Sequence, residues 1–440
     1  MRMMLRRISA CLFVALSSMA LLPAQEQCTY QQVDGATATA VGVLWSHGFD
    51  DDDVEVAGLA RVLAACRLER VRRLVPNTVA SGMRIGSDYS LVFGVVAGGD
   101  AKLAAQFLST LLDEQKFADV LSDDVIALAV ARAALAADDA ESVYPGDVLL
   151  TRARQHFGRG TALARPPAGM ASAIAKLTSE AVREALRVDV PVRMAALGVV
   201  TAGVIDAIRP LAATFETRVR GAFVCADSRA STEMTEDRND RVDSPYVSAA
   251  FALPAEVDRA ALAVGVQVAT SRAFRRWRMR GMEQRARAPF VAWSWLHADP
   301  LLRLCRRGEE PSQLLPGERP QALLPDEVRA TRAELQAFLQ NLRTVPPSEI
   351  ELGPARLALR SRLSLPGPGQ KSSWAGEPAT LPGRLQVLLL AAHHGVDVAR
   401  IDNVTASQVH AAIKSVLQTD RSSWHSLLPA SKKVSGYRRR

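Results

Sequence analysis

Lysine is scarce in this chain: only seven of its 54 basic residues are Lys, and the arginines that make up the rest are scattered. The formal net charge of +8 therefore reads as a bias toward Arg and Ala and not as a basic stripe, and no nucleic-acid partner is expected. Cysteines are few, five in 440 residues, and none stands in a CxxC pair, which argues against a zinc knuckle or a redox motif. Neither GxSxG nor GxxxxGK[ST] occurs, so nucleophile-elbow and phosphate-loop enzymes have no support. Past the first two dozen residues, no apolar run reaches the length of a membrane span.

What is present begins with an address. Residues 1–7 carry three arginines, 8–22 form a short apolar run, and Pro23-Ala24 puts a small residue before Gln25. This is the pattern of a secretory signal over 1–24, and it predicts a soluble protein exported to the periplasm or the cell exterior, with no membrane span once the signal is removed. Cys28, Cys66, Cys225 and Cys305 would remain, and four thiols allow three disulfide pairings. Cys66 and Cys305 lie in apolar runs and are expected to be buried thiols.

An internal echo organises the rest. LTSEAVREALRVDVPVRMAALG (177–198) and VTASQVHAAIKSVLQTDRSSWHSLLP (404–429) each set a Thr before a short amphipathic helix and follow it with a strand-like stretch. Thr405 and Gln408 form the TxxQ pattern of a capping box. Residues 227–244 are polar and poor in large apolar side chains, the composition of a linker. The expectation is an α+β chain of two similar domains related by duplication, 28–226 and 245–440. Strands are expected near 38–46 and 87–96, with helices over 54–66, 100–117 and 123–139, the last apolar nearly all round and therefore buried. The Pro/Gly-rich stretches 317–327 and 365–383 read as surface loops.

Four segments, in order, carry a resemblance. VEVAGLARVLAAC (54–66) resembles the GLAHxLEHxxF opening of the pitrilysin/insulinase metallopeptidases. SDYSLVFGVVAGGDAKLAAQFLSTLL resembles that family's second strand and following helix. ALARPPAGMASAIAKLTSEAVREAL resembles its GxPxxxPxxGxxxxIxxLTxxDL segment, and GVDVARIDNVTASQVHAAIKSVL the matching part of its second half. The resemblance implies two pitrilysin-like α+β domains. It also implies an HxxEH zinc site whose histidines hold the metal and whose glutamate is the general base. Laid over that motif, this chain puts Arg61 at the first histidine, Ala64 at the glutamate and Ala65 at the second histidine. The third ligand falls near Arg132 or Ala133. None of these side chains offers a metal a lone pair, so neither zinc nor peptidase activity is expected.

What the resemblance leaves is a way of holding polypeptide as a strand added to a sheet edge. The candidate edge is 87–93, with Ser87, Asp88 and Tyr89 as peptide-binding residues. Gly82-Met83 stands where the family has Asn-Ala. Arg285 or Arg287 matches an arginine that reaches toward substrate. The expected partners are a peptide or unfolded polypeptide and an active HxxEH-bearing chain. A structural part in an envelope assembly is the alternative, and so is a rebuilt metal site around His393 and His394 with Asp397 and Asp402 nearby. The acidic run 50–53 reads as a solvated loop favoured by the positive end of the next helix.

Overall fold

Ala38–Trp45 reads ATAVGVLW, apolar on both faces of an extended strand, and it is buried along its whole length. In the computed structural model this run is the middle strand of a sheet. The structure describes residues 28–430 apart from 114–120, 214–233, 279–289, 293–300, 308–319, 363–380 and some single residues and pairs. Its first half runs β1 (Cys28–Gln32), β2 (Ala38–Trp45), α1 (Leu59–Leu74), β3 (Ala80–Ile85), β4 (Ser90–Ala97), α2 (Ala101–Leu112), α3 (Asp123–Ser142), α4 (Pro145–Phe157), α5 (Ser179–Leu186), β5 (Val192–Gly198) and α6 (Ala202–Ala212). The second half follows as β6 (Met234–Asn239), β7 (Tyr246–Ala252), α7 (Arg259–Arg278), β8 (Phe290–Ala292), β9 (Leu301–Arg307), α8 (Pro320–Thr344), α9 (Glu349–Arg362), α10 (Leu381–His394), α11 (Ala406–Val416) and β10 (Ser422–Pro429).

The two sheets have one plan. Their orders are β1-β5-β2-β4-β3 and β6-β10-β7-β9-β8. In each, only the first pair is parallel and the other three are antiparallel. The echo in the sequence is thus a duplicated element: α5 with β5, and α11 with β10. Thr178 and Thr405 both cap their helices, and Thr405 and Gln408 close the capping box.

Three sequence readings need correction. Met234–Asn239, inside the stretch read as a linker, is edge strand β6, paired in parallel with β10; its polar pattern MTEDRN fits a strand with water on its outer side. Pro320 opens α8 where a loop was expected, a position that costs little because the first turn of a helix needs no N–H from it. Helix α3 buries one face only: Val125, Ile126, Ala129, Ala133 and Ala137 are inside, while Leu128 and Leu135 are exposed. Residues 1–24 and Cys225 lie outside the described residues.

Alternation along the strands sorts side chains to two cores. Val41, Val43 and Trp45 of β2 face α1, α2 and α6 of their own half. Ala38, Ala40 and Leu44 face the other way, onto Leu381, Leu385, Leu389 and Leu390 of α10. The second sheet mirrors this, with its own helices on one face and Val148, Leu149, Ala153 and Phe157 of α4 on the other. Each half therefore lends the other a helix. Arg152 of α4 adds a bidentate pair with Asp237 of β6 at 2.8 Å, and Arg303 of β9 donates to the Gly146 carbonyl at 3.0 Å.

Candidate functional site

The start of α1 is built by backbone contact that only glycine permits. Gly58 caps the helix at φ 110°, and Gly169 also has positive φ, 82°. A Cβ on Gly58 would stand 2.5 Å from Ile174, and one on Gly169 would stand 2.6 Å from the Gly58 Cα. Met170 donates to the Ala57 carbonyl at 3.1 Å. The first and third resembling segments are thus locked together. Asp52, 2 % exposed, accepts from the Gly58 and Ala60 amides at 2.9 and 3.0 Å, and His47 Nε2 lies 3.3 Å from its Oδ1.

Part of the acidic run is therefore inside, contrary to the reading of a solvated loop. Asp50 pairs with the buried Arg154 of α4. Burial pushes the Asp50 carboxyl up to about 7 even though Arg154 pulls it down, with Asp51 and Asp88 adding like charge.

On α1, Ala64 is fully buried, while Arg61 and Ala65 are half-buried. Burial lowers the pKa of Arg61 from its ordinary value, and its Nε makes no hydrogen bond. Helix α3 packs along α1, setting Ala133 into the seam with Val62, Leu63 and Cys66. Arg132 points outward and pairs with Glu69, one turn beyond Ala65, at 3.6 Å. The two helices onto which the sequence overlay falls do meet, but the side chains at the overlaid positions do not fit a zinc ion: a guanidinium and methyl groups have no donor to give it.

The sheet edge lies elsewhere than expected. Strand β4 is paired on both sides, with β2 and with β3, and Ser87, Asp88 and Tyr89 are all buried. The edge beside β4 is β3, whose residues are mostly half-exposed and which carries Gly82-Met83. Its sequence ASGMRI has little strand character, which hid it. Arg285 and Arg287 lie outside the described residues.

No family model matches the sequence, and no curated protein matches it. Solved structures do match the fold. A chain of complex III2 from Candida albicans, with Inz-5 bound, superposes with a TM-score of 0.65 at 13% identity, covering 93% of this chain and 95% of that one. A peptidase M16 inactive domain from Pseudomonas fluorescens gives 0.63 at 13% identity, covering 92% and 95%. The fold is that of the M16, or pitrilysin-type, peptidases. The periplasmic protease PqqL from Escherichia coli matches it as well, with a TM-score of 0.59 at 12% identity over 91% of this chain but only 44% of PqqL. The pitrilysin-type unit described here thus corresponds to less than half of that protease. Among the described residues, no helix is long and apolar enough to cross a membrane.

The second candidate centre also changes its membership. Asp397 accepts from the Ala399 amide at 2.9 Å and caps the turn that follows, and Asp402 pairs with Arg360 at 2.9 Å. Neither joins His393 and His394. Both histidines meet Asp88, from the loop before β4, a partner that no spacing in the sequence announces.

Proposed function

We propose that this chain is an exported pitrilysin-type protein without peptidase chemistry, which holds extended polypeptide and serves as the noncatalytic subunit of an active zinc peptidase. The observation that carries the reading is the content of α1. The helix, its glycine lock and its Asp52 cap are intact, while Arg61, Ala64 and Ala65 offer nothing to bind zinc or activate water. The likeness to an inactive M16 domain is in keeping with this. The likeness to a chain of complex III2 supports a place beside other subunits.

Polypeptide would add as a strand to β3, which pairs with β4 on its one side. The half-exposed backbone around Gly82 and Met83 gives it room. Export rests on the pattern of residues 1–24, and the likeness to periplasmic PqqL agrees with it. The test is a pull-down of the tagged chain from the native envelope fraction. The expected result is stoichiometric recovery of an HxxEH-bearing chain across an interface of about 1,200 Å² or more. Recovery of the chain alone, with peptidase activity unchanged in a deletion strain, would end the subunit reading and leave a solitary structural role.

A further inference from the structure

The docking of α10 across the first half's sheet brings its last two residues against Asp88. His393 Nε2 lies 3.5 Å, and His394 Nδ1 3.7 Å, from the same oxygen, Asp88 Oδ2. The three ligand atoms lie within 4.8 Å of one another, and among the described residues this is the one group of three His, Cys, Asp or Glu side chains so placed. His393 is 0 % exposed, and neither of its ring nitrogens makes a hydrogen bond. A buried imidazole in that condition is costly, because buried polar atoms lose water and must regain a partner.

Distance separates the two partners it can have. An N–H···O bond spans about 2.7–3.2 Å, shorter than either separation found here. Two N or O donors bound at ~2.0–2.2 Å to one tetrahedral zinc stand roughly 3.3–3.6 Å apart. His393 Nε2 meets that spacing to Asp88 Oδ2 at 3.5 Å, His394 Nδ1 stands just beyond it at 3.7 Å, and all three atoms lie within 4.8 Å, so a bound ion would draw the group together slightly. Two imidazoles and a carboxylate are also a donor set that suits zinc.

We propose that Asp88, His393 and His394 bind a divalent zinc-class ion that pins the end of α10 to the loop before β4 and so staples the two halves of the chain. His394 borders a cleft also lined by Glu256, Asp258 and Asp397, which gives a cation an acidic way in and water for a fourth position. Three protein ligands and a water are in themselves the set of a catalytic zinc; what assigns this ion a stapling role is its place between α10 of one half and the loop before β4 of the other. The site is independent of the peptide-holding reading, and it departs from the expectation, drawn from the α1 positions, that the chain holds no zinc.

The test uses the full chain, stripped with chelator and titrated with Zn²⁺ by calorimetry and with Co²⁺ by visible absorption. The expected result is one ion per chain, cobalt bands of a four-coordinate N/O site, and a Tm raised by ~3 °C or more at zinc 100-fold above Kd. Asp88→Asn, close in shape, weakens binding of both ions by ~10-fold or more and removes the rise in Tm. Asp402→Asn leaves both unchanged. His394→Gln repeats the loss and keeps the test open if a His393 variant does not fold. No uptake of either ion at about 100 μM, or uptake that Asp88→Asn and His394→Gln leave unaltered, overturns the proposal.

Discussion

Arg61, Ala64 and Ala65 sit on a well-formed helix, so the simplest challenge to the proposed reading is to install the zinc chemistry at the positions where the sequence overlay puts it. A catalytic zinc needs three protein ligands and an open water position. The triple variant Arg61→His, Ala64→Glu, Ala65→His supplies two ligands and a base. The third position offers Arg132, which faces outward to Glu69, or Ala133, which is buried against α1. Peptide hydrolysis by the triple variant is therefore expected to stay at background. Chelator-sensitive hydrolysis would show that neither Arg132 nor Ala133 holds the third place. A second residue reports on the seam between halves. His425 of β10 is buried, with Thr235 Oγ1 at 2.5 Å and Ser423 Oγ at 3.0 Å. Burial lowers its pKa from the ordinary 6.5 to about 4, helped by His156 and Arg152 of α4 and opposed by Asp237. The unfolded chain takes up this proton first as pH falls, so the contribution is complete above pH 6.5 and is lost on the way to pH 4. On the order of 3 kcal/mol is at stake. Denaturant titrations across that window should show a fall in stability that His425→Asn reduces.

At the scale of elements, the exchange of α4 and α10 buries a helix of each half against the sheet of the other, and the halves are expected to unfold together. A Cβ on Gly42 of β2 would stand 2.9 Å from Leu385 Cδ2, so α10 lies close on the sheet with no slack. Leu385→Ala leaves a hole there and should cost about 2–5 kcal/mol. Because Leu385 belongs to the second half and its contacts to the first, the loss should appear in the unfolding of both halves, read by tryptophan fluorescence of Trp45 against that of Trp277 and Trp424. The duplication was legible in the sequence because Thr-capped amphipathic helices followed by strands leave a pattern at both 177–198 and 404–429. The exchange was not. Periodicity in LPGRLQVLLLAAHH says that a face is buried, but not against which sheet. Edge strands hid for the opposite reason: β3 and β6 bury so little that ASGMRI and MTEDRN carry no apolar alternation, and this put the candidate peptide-binding edge on the interior strand β4. Asp88 as the partner of His393 and His394 was invisible in the same way, since the contact exists only once the halves have docked.

At the scale of the whole molecule, the chain keeps two complete pitrilysin-type halves, and many of its arginines are spent within them. Arg154 pairs with Asp50, Arg272 with Glu351, Arg306 with Glu334 and Arg360 with Asp402. Under the proposed function, what such a frame offers without zinc at α1 is a sheet edge, β3, along which a strand can be held. The central claim, that polypeptide is held and not cut, is tested most directly by placing a photo-cross-linking side chain at Arg84, an exposed position on β3. That variant is incubated with denatured casein and Zn²⁺, and the products are weighed by mass spectrometry after illumination. The account predicts adducts of one chain with intact casein, and no fragments. Casein fragments that disappear when chelator is added, or an absence of adducts, would contradict it.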